Sequence, residues 1–226
     1  MTEIKHRPIR SYVRREGKIT RGQQRALDEL GPKYLLPTAG QLDFPAIFGN
    51  DRPVVLEIGF GNGLSLAEMA QNDPQRNYLG IEVYRPGVGS LLIRIRERGL
   101  TNVRAVQADA VEVLENQIAD ASLAAAHIYF PDPWHKARHN KRRIIQPHFV
   151  ALIRKKLQIG GIAHIATDWE DYAEHIMAVM SAADGFINLA GEGNFSPRPE
   201  YRPLTKFEQR GQRLGHGVWD LLFEKT

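Results

Sequence analysis

The sequence predicts a doubly wound, Rossmann-like α/β fold, with a mostly parallel, seven-stranded sheet and helices on both faces. Five short apolar runs alternate with segments of helical length, which is the pattern of parallel strands joined by crossover helices. The first run ends in a glycine-rich turn, and an acidic residue stands at or near the end of each of the first three runs. In such a sheet, ligands bind beyond the carboxyl ends of the strands. A length of 226 residues suits one sizeable core rather than two.

The strands are predicted where apolar and β-branched residues cluster over the length of a strand. The five runs of the parallel sheet cover residues 53–59, 77–83, 102–108, 123–130 and 161–167. Helices are predicted at about 64–72, 87–98, 110–118, 146–158 and 170–183. Two more strands, at 186–191 and 218–225, are expected to form an antiparallel pair at one edge. The residues between them, 192–217, hold four glycines and three prolines, which predicts a long functional loop.

The basic residues are concentrated in two segments, although the net charge is only +4. Residues 1–25 hold eight Lys and Arg against two acids, and residues 132–156 hold eight against Asp132 alone. A mildly acidic body with a basic footprint is expected of a protein that binds a polyanion. Residues 154–156 are also explained as the C-terminal cations of a helix, but that explanation does not cover residues 138–143.

The composition excludes several classes of protein. The chain has no cysteine, so disulfide frameworks and thiolate chemistry are excluded. No stretch has the apolar length of a membrane span, and the N-terminal residues lack the apolar core of a signal peptide. We therefore expect a cytoplasmic protein with a basic, mobile extension at residues 1–40, one domain at 41–226, and no membrane or obligate protein partner. His135, His139 and His148 do not form a convincing metal set, and no metal is expected.

A turn with glycine at every second position follows the first predicted strand. Gly59, Gly61 and Gly63 allow a positive φ and a close approach of a ligand, although a structural tight turn is the ordinary explanation of such a pattern. Dinucleotide-binding turns have the form G-x-G-x-x-G/A, and Leu64, three positions after Gly61, does not fit it. The turn therefore disfavours a pyrophosphate ligand.

Three acids at strand ends, Glu57, Glu82 and Asp109, are spaced one β-α unit apart. A carboxylate after the second strand is the usual partner of two ribose hydroxyls, and this role falls to Glu82. Asp109 is then placed to accept from an adenine amine, and Glu57 suits an amino-bearing part of the ligand. Any one of these acids is more often a helix cap or a solvated side chain. Together they favour S-adenosylmethionine as the cofactor, and a class I methyltransferase over a dehydrogenase.

The stretch FPDPWHK at residues 130–136 places Asp132 between two prolines and beside Trp134, and a cationic tract follows directly. This combination is typical of a site for a planar, phosphate-bearing substrate. Trp134 either stacks on an extruded base or packs the loop, and the two explanations are equally good. The cations of this tract and of the N-terminal arm would bind phosphates with little reading of sequence.

Six segments of the chain closely resemble the bacterial tRNA (guanine-N7-)-methyltransferase family: VLEIGFGNG, GIEV, QAD, FPDPWHKARHNKRR, TDW and TKFEQRGQRLGHGVWDLLF. The resemblance runs from about Ile9 to Lys225. It implies methyl transfer from S-adenosylmethionine to N7 of the guanine at position 46 in the tRNA variable loop, with Asp132 as the catalytic acid. The implied cofactor residues are Glu57, Gly59, Gly61, Gly63, Glu82, Asp109 and Asp132. The implied substrate residues are Lys136, Asp168, Thr205, Lys206, Phe207 and Glu208, and the implied RNA contacts are Arg138, His139, Asn140, Lys141, Arg142 and Arg143.

Several of the implied substrate residues also have structural explanations. Asp168 follows the fifth predicted strand and would serve as a helix N-cap. Thr205 and Glu208 fit the S/T-x-x-E capping box. Two other functions stay open: a methyltransferase for a small molecule, and an RNA-binding protein without turnover on the same scaffold. The first leaves the cationic segments without a role, and the complete acid set with Asp132 argues against the second.

Overall fold

The computed structural model describes residues 11–12, 17–204, 208 and 217–226. Within them the strands are β1 (Val54–Ile58), β2 (Asn77–Ile81), β3 (Val103–Val106), β4 (Leu123–Tyr129), β5 (Leu157–Thr167), β6 (Phe186–Asn188) and β7 (Trp219–Lys225). The helices are α1 (Arg21–Tyr34), α2 (Phe44–Phe48), α3 (Leu64–Asn72), α4 (Arg85–Arg98), α5 (Ala110–Asn116), α6 (Pro147–Lys156) and α7 (Glu170–Ser181). A 3₁₀ turn spans Ala137–Arg142.

The strands form one sheet in the order β3-β2-β1-β4-β5-β7-β6. β1 to β5 run parallel, whereas β7 pairs antiparallel with both β5 and β6. The predicted fold class is confirmed, including the antiparallel pairing of the last two strands. The chain order of the strands reverses at β1, between β2 and β4. A crevice is therefore expected at the carboxyl ends of these three strands.

The sheet is covered on both faces, which explains why its parallel strands are apolar along their whole length. All five residues of β1 are buried. Leu56 packs in one core with residues of α5, α6 and α7, and Val55 packs in the other with residues of α1, α3 and α4. Neighbouring residues of one strand alternate between the two cores because the period of a strand is two. The loops that follow the strands are thereby held by a rigid layer.

β5 is longer than the sequence predicts. It begins at Leu157, directly after α6, rather than near residue 161. Leu157 pairs with Leu123, and the register shifts after this pair. Lys156 at the end of α6 is buried and donates to the carbonyl of Ile118 at 2.7 Å. This buried hydrogen bond holds the end of the helix, so that the chain enters the sheet without a loop.

The first helix, α1, lies within the predicted N-terminal extension and packs against α4. Thr20 begins α1 with a capping box, in which its side chain accepts from the backbone of Gln23 and the side chain of Gln23 caps Thr20 in return. Leu27 is buried, and Gln23 donates to Ser90 on α4 at 3.0 Å. Basic charge alone does not separate a packed helix from an extension. The capping box followed by apolar residues is the signal that does.

Two expectations concern segments that lie partly outside the described residues. The predicted mobility of the N-terminal extension falls largely on residues 1–10 and 13–16, which lie outside the described residues. The same holds for residues 205–207 and 209–216 of the long loop before β7. Within the described ranges, no helix combines the length and the apolar character that crossing a bilayer requires.

Candidate active site

The turn after β1 has a backbone conformation that favours glycine. Gly59, Gly61 and Gly63 have φ angles of 72°, 57° and 72°, all in the left-handed region. A Cβ on Gly63 would lie 2.7 Å from the Cβ of Leu91, so this glycine is required where the turn packs on α4. A Cβ on Gly59 or Gly61 would meet no atom within 4 Å. These two positions leave open space beside the backbone for a ligand.

Glu82, directly after β2, holds the glycine turn in place. Its Oε2 accepts from the backbone N–H of Gly61 at 2.8 Å. Its Oε1 accepts from the N–H groups of Val83 and Tyr84 at 2.7 and 2.9 Å. Three backbone donors therefore fix one carboxylate between the ends of β1 and β2. The remaining acceptor capacity of this carboxylate lies chiefly on Oε2.

Glu57 on β1 is a buried carboxylate with an unsatisfied oxygen. Only 3% of the residue is exposed, and its Oε2 has no hydrogen-bond partner among the described residues. Burial, and secondly the charge of Glu82, raises the pKa of Glu57 to about 8. The residue lines a cavity with Gly59, Gly61 and Asn62. A cationic donor at this point would satisfy the oxygen and favour the ionised carboxylate.

A second cavity, of about 240 Å³, brings the other predicted acids together. Glu82, Asp109 and Asp132 all line it. Asp109 also caps α5, since its Oδ1 accepts from the N–H of Val111 at 2.9 Å. The structural and the functional explanation of Asp109 are therefore compatible. Gly59 lines both cavities, so the two are parts of one crevice at the carboxyl ends of the strands.

The loop that carries Asp132 is held in a strained conformation. Asp132 is exposed at the crevice, and Phe130 and Trp134 on either side of the Pro-Asp-Pro unit have φ angles of 50° and 47°. The left-handed region costs a non-glycine residue about 1–2 kcal/mol. Local contacts hold the conformation, because the N–H of Phe130 donates to Ala166 on β5 at 2.8 Å and the indole of Trp134 donates to the carbonyl of Ser11 at 3.1 Å.

Asp168 lies at the end of β5 and does not cap the next helix. The N-cap of α7 is Trp169, without a side-chain capping bond. Within the described part of the chain, the carboxylate of Asp168 makes no hydrogen bond or ion pair. Trp169 touches the ring of His135 with 4.1 Å between ring centroids. The structure thus places Asp168 beside the loop that carries Asp132.

Glu208, which is predicted as a substrate contact, forms hydrogen bonds with Arg202 inside the protein. The residue is 2% exposed, and its two carboxylate oxygens accept from Arg202 at 2.7 and 2.8 Å. A carboxylate engaged in this way is part of the protein interior. Its predicted neighbours in the motif, Thr205, Lys206 and Phe207, lie outside the described residues.

The cationic tract divides into outward and inward side chains. Lys136, Arg138 and Lys141 are exposed, while His139, Asn140 and Arg142 are half-buried. The guanidinium of Arg142 lies 3.8 Å from the ring centroid of Trp134, so this tryptophan is packed against the tract on one face. Arg143, also predicted as an RNA contact, is only 3% exposed, so its side chain lies inside the protein rather than at the surface of the tract.

Known proteins resemble this chain over nearly its whole length, including the crevice and the cationic tract. A family described as putative methyltransferase matches residues 51–221. A tRNA (guanine-N(7)-)-methyltransferase of Aeromonas hydrophila is 60% identical over 221 residues, which cover 97% of this chain and 93% of the relative. One of Alcanivorax borkumensis is 60% identical over 220 residues, covering 97% and 92%. The chain belongs to the tRNA (guanine-N(7)-)-methyltransferase family.

Solved structures support the fold of this methyltransferase family member. The 16S rRNA methyltransferase KamB superimposes with a TM-score of 0.59, at 17% identity, over 82% of this chain and 95% of that chain. The aminoglycoside resistance methyltransferase NpmB1 gives a TM-score of 0.51 at 15% identity, over 93% and 95%. At such identities the likeness shows the class I methyltransferase fold alone.

Membership of a tRNA (guanine-N(7)-)-methyltransferase family implies S-adenosylmethionine as the methyl donor, and the crevice fits it. The decisive feature is the unsatisfied, buried Oε2 of Glu57, which suits the ammonium group of the cofactor. Among its described lining residues the crevice also provides carboxylates at Glu82 and Asp109, which suit the hydroxyl and amine donors of an adenosine.

Sequence reasoning missed several residues that line the crevice of this methyltransferase. Tyr129 and Phe130 line both cavities, and Ser11 and Tyr12 line the one with the acids. A signal existed for the first pair, because Tyr129 and Phe130 end an apolar run at the crevice edge of the sheet. Nothing in the sequence connects Ser11 and Tyr12 to a site more than a hundred residues away, near Trp134.

Proposed function

We propose that this protein transfers a methyl group from S-adenosylmethionine to N7 of the guanine at position 46 in the variable loop of tRNA. The relatives are named for N7 methylation of guanine in tRNA. The observation that carries the proposal is a single cavity lined by Glu82, Asp109 and Asp132. Cofactor carboxylates and a substrate carboxylate around one cavity suit direct transfer between two bound molecules.

Each residue of the crevice would bind a different part of the cofactor. When bound, the sulfonium of S-adenosylmethionine supplies the methyl group. Glu82 would accept from the ribose hydroxyls through the acceptor capacity that its backbone donors leave free. Asp109 would accept from the adenine amine, and Glu57 would pair with the ammonium group. Gly59 and Gly61 let the backbone approach the cofactor closely.

Asp132 would orient the guanine rather than remove a proton. N7 of guanine has an in-plane lone pair and no proton, so its attack on a methyl group requires no general base. Catalysis then depends on alignment and on the exclusion of water. The carboxylate of Asp132 would accept from the N1 and N2 hydrogens of guanine and stabilise the positive charge that develops on the purine. The two prolines and the strained residues beside them keep this carboxylate in position.

The surface around the loop would hold the RNA. Lys136, Arg138 and Lys141 are exposed cations that suit phosphate contacts, which fix the register of RNA without reading its sequence. His139, Asn140 and Arg142 lie beside them on the same turn. Asp168 stands at the adjoining strand end with a carboxylate available for a substrate donor.

Mapping of the modified base tests the proposal. Purified protein is incubated with labelled S-adenosylmethionine and unmodified tRNA, and N7-methylguanine is located by borohydride and aniline cleavage. We expect strand scission at position 46, and none in a tRNA with adenine at that position. Absence of transfer to RNA would contradict the proposed activity, and scission elsewhere would contradict the proposed position.

The role of Asp132 is tested with Asp132→Asn at saturating cofactor. The amide keeps the size of the side chain but removes its charge, so the developing positive charge on the purine loses its partner. We expect kcat to fall by about 10²-fold, the scale seen when one preorganised electrostatic contact is removed. Single-turnover transfer to tRNA measures this effect, and an unchanged rate would exclude the proposed role.

A further inference from the structure

Arg143 differs from every other predicted RNA contact in the described tract because its guanidinium lies inside the protein. Its side chain is 2% exposed. Nε donates to the carbonyl of Pro133 at 2.9 Å, and an Nη nitrogen donates to the carboxylate of Asp171 on α7. The central carbon of the guanidinium lies over the ring of Tyr172, 4.8 Å from the ring centroid. A phosphate could reach this group only if these contacts were broken.

The contact with Pro133 fixes the loop that carries Asp132. Proline has no backbone N–H, so the Pro-Asp-Pro unit offers few donors with which the fold can hold it. The carbonyl of Pro133 is an acceptor one residue after Asp132, and Arg143 binds it. The next residue, Trp134, has the left-handed backbone that closes the loop. A strained loop keeps its conformation only where its surroundings determine it.

The contact with Asp171 joins the same loop to the first turn of α7. Tyr172, under the guanidinium, is fully buried, and its hydroxyl accepts from the N–H of Ile145 at 3.3 Å. Asp171 stands three residues after Asp168 at the start of the same helix. One guanidinium therefore connects the loop of Asp132 with the element that follows Asp168, and both carboxylates belong to the proposed substrate site.

We infer that Arg143 is a positioning residue for methyl transfer, which clamps the Asp132 loop onto α7 and does not contact RNA. The inference rests on the proposed function, because it concerns the alignment of guanine by Asp132. The planar fork of arginine suits this task, since it can bond the carbonyl and the carboxylate at once while its face stacks on an aromatic ring. A lysine would keep the charge and lose this geometry.

Arg143→Met tests the inference, because a positioning residue should affect the rate of methyl transfer and leave the affinity for tRNA unchanged. Loss of the clamp lets the Asp132 loop shift, and a misplacement of about 1 Å costs on the order of 10²-fold in rate. We expect kcat to fall by about that factor, while the Kd of tRNA and its salt dependence stay within about twofold of the wild type. Arg143→Lys should recover about tenfold of the lost rate, since the charge next to Asp171 remains.

Two further variants separate positioning from other effects. Arg104→Met removes a partly buried guanidinium that lies over the rings of Tyr34 and Phe48, none of which lines the crevice, and should lower the melting temperature with kcat retained. Arg138→Met removes an exposed cation and should weaken tRNA binding and reduce the salt slope by about 1.

Arg143→Met should resemble neither of these two variants. A weaker tRNA Kd with a reduced salt slope and a normal kcat would make Arg143 an RNA contact and overturn the inference. A rate loss no larger than that of Arg104→Met would overturn it as well.

The test also works if Arg143→Met does not fold. Asp171→Asn changes the exposed end of the clamp, and its carboxylate side chain is 66% exposed, so folding should be retained. We expect a fall of kcat of about three- to tenfold with an unchanged tRNA Kd, and an unchanged kcat would count against the clamp. Wild-type protein that methylates no RNA would instead refute the proposed function, whatever the variants do.

Discussion

Two buried glutamates in this molecule have opposite surroundings. Glu57 is 3% exposed and Glu208 is 2% exposed, so burial does not distinguish them. Glu208 receives two hydrogen bonds from Arg202, whereas one oxygen of Glu57 has no partner among the described residues and the pKa of that group is raised to about 8. A buried carboxylate whose partner lies inside the protein is part of the interior of the fold. A buried carboxyl group without a partner marks a place where a ligand can supply one.

The paired glutamate belongs to an extended polar network between β5, β7 and the long loop. Arg202 also donates to Asp220 at 2.9 Å, and Asp220 accepts from Nε2 of His164 at 2.7 Å. The hydroxyls of Tyr129 and Tyr201 lie 3.1 and 2.9 Å from Nδ1 of His164. This pattern fits a neutral imidazole with its proton on Nε2, and burial lowers the pKa of His164 accordingly.

The largest expected effect comes from breaking the paired region with Arg202→Met. The change leaves Glu208 and Asp220 buried without their cation, and the loss of one partner from a buried ion pair costs about 3–5 kcal/mol. We expect the free energy of unfolding to fall by this amount, measured by urea denaturation with the midpoint and slope fitted together. Arg76→Met is the matched control, because its partner Asp73 is half-exposed and such pairs contribute about 0–1 kcal/mol. A loss as small as that of the control would show that the network does not hold the fold.

Glu57→Gln, in the crevice, should weaken the binding of the cofactor instead of destabilising the fold. Glutamine cannot pair as an anion with the cofactor ammonium, and loss of a hydrogen bond to a charged group costs about 2–3 kcal/mol, or roughly 30- to 150-fold in Kd. Calorimetric titration with S-adenosylmethionine measures this loss. Cofactor affinity within about threefold of the wild type would contradict the assignment of Glu57.

The stability of the ligand-free protein gives an independent readout of Glu57. Its pKa is raised in the folded state to about 8 from an ordinary value of 4.5, so the folded protein binds the proton more tightly. The wild type should therefore lose stability as the pH rises from about 4.5 to 8, by an amount on the order of a few kcal/mol. Glu57→Gln should remove this pH dependence and be the more stable protein at pH 8. An identical pH profile for both would show that Glu57 is ionised without a ligand.

The sequence predicts the crevice better than the polar network around Arg202, because the crevice follows from the order of strands and helices and the network does not. Glu57 and Glu82 stand at the ends of strands that are adjacent in the sheet, so the alternation of strands and helices suffices to bring them together. Arg202 and Asp220 meet only because the long loop returns to the sheet, which no local pattern encodes. The burial of Arg143 escapes prediction for the same reason, because its neighbours in the tract share its charge and its burial depends on the position of α7.

The smallest effect is expected from alanine substitutions at two glycines that have the same backbone conformation. Gly59 and Gly49 have φ angles of 72° and 71°, and a Cβ at either position meets no atom within 4 Å. Gly59 lines the crevice, whereas Gly49 ends α2 away from it. Alanine at either position should cost about 1–2 kcal/mol of stability through the left-handed backbone. Thermal unfolding of the two variants measures this common loss.

Only Gly59→Ala should also change the binding of the cofactor. Its added methyl group enters the space that adjoins Glu57, so we expect S-adenosylmethionine to bind about tenfold more weakly, the scale of about 1.4 kcal/mol. Gly49→Ala carries the same backbone strain and should bind the cofactor as the wild type does. Equal affinities for the two variants would mean that the open space at Gly59 serves the turn alone. A selective loss would show that the fold keeps this space open for the ligand that Glu57 lacks.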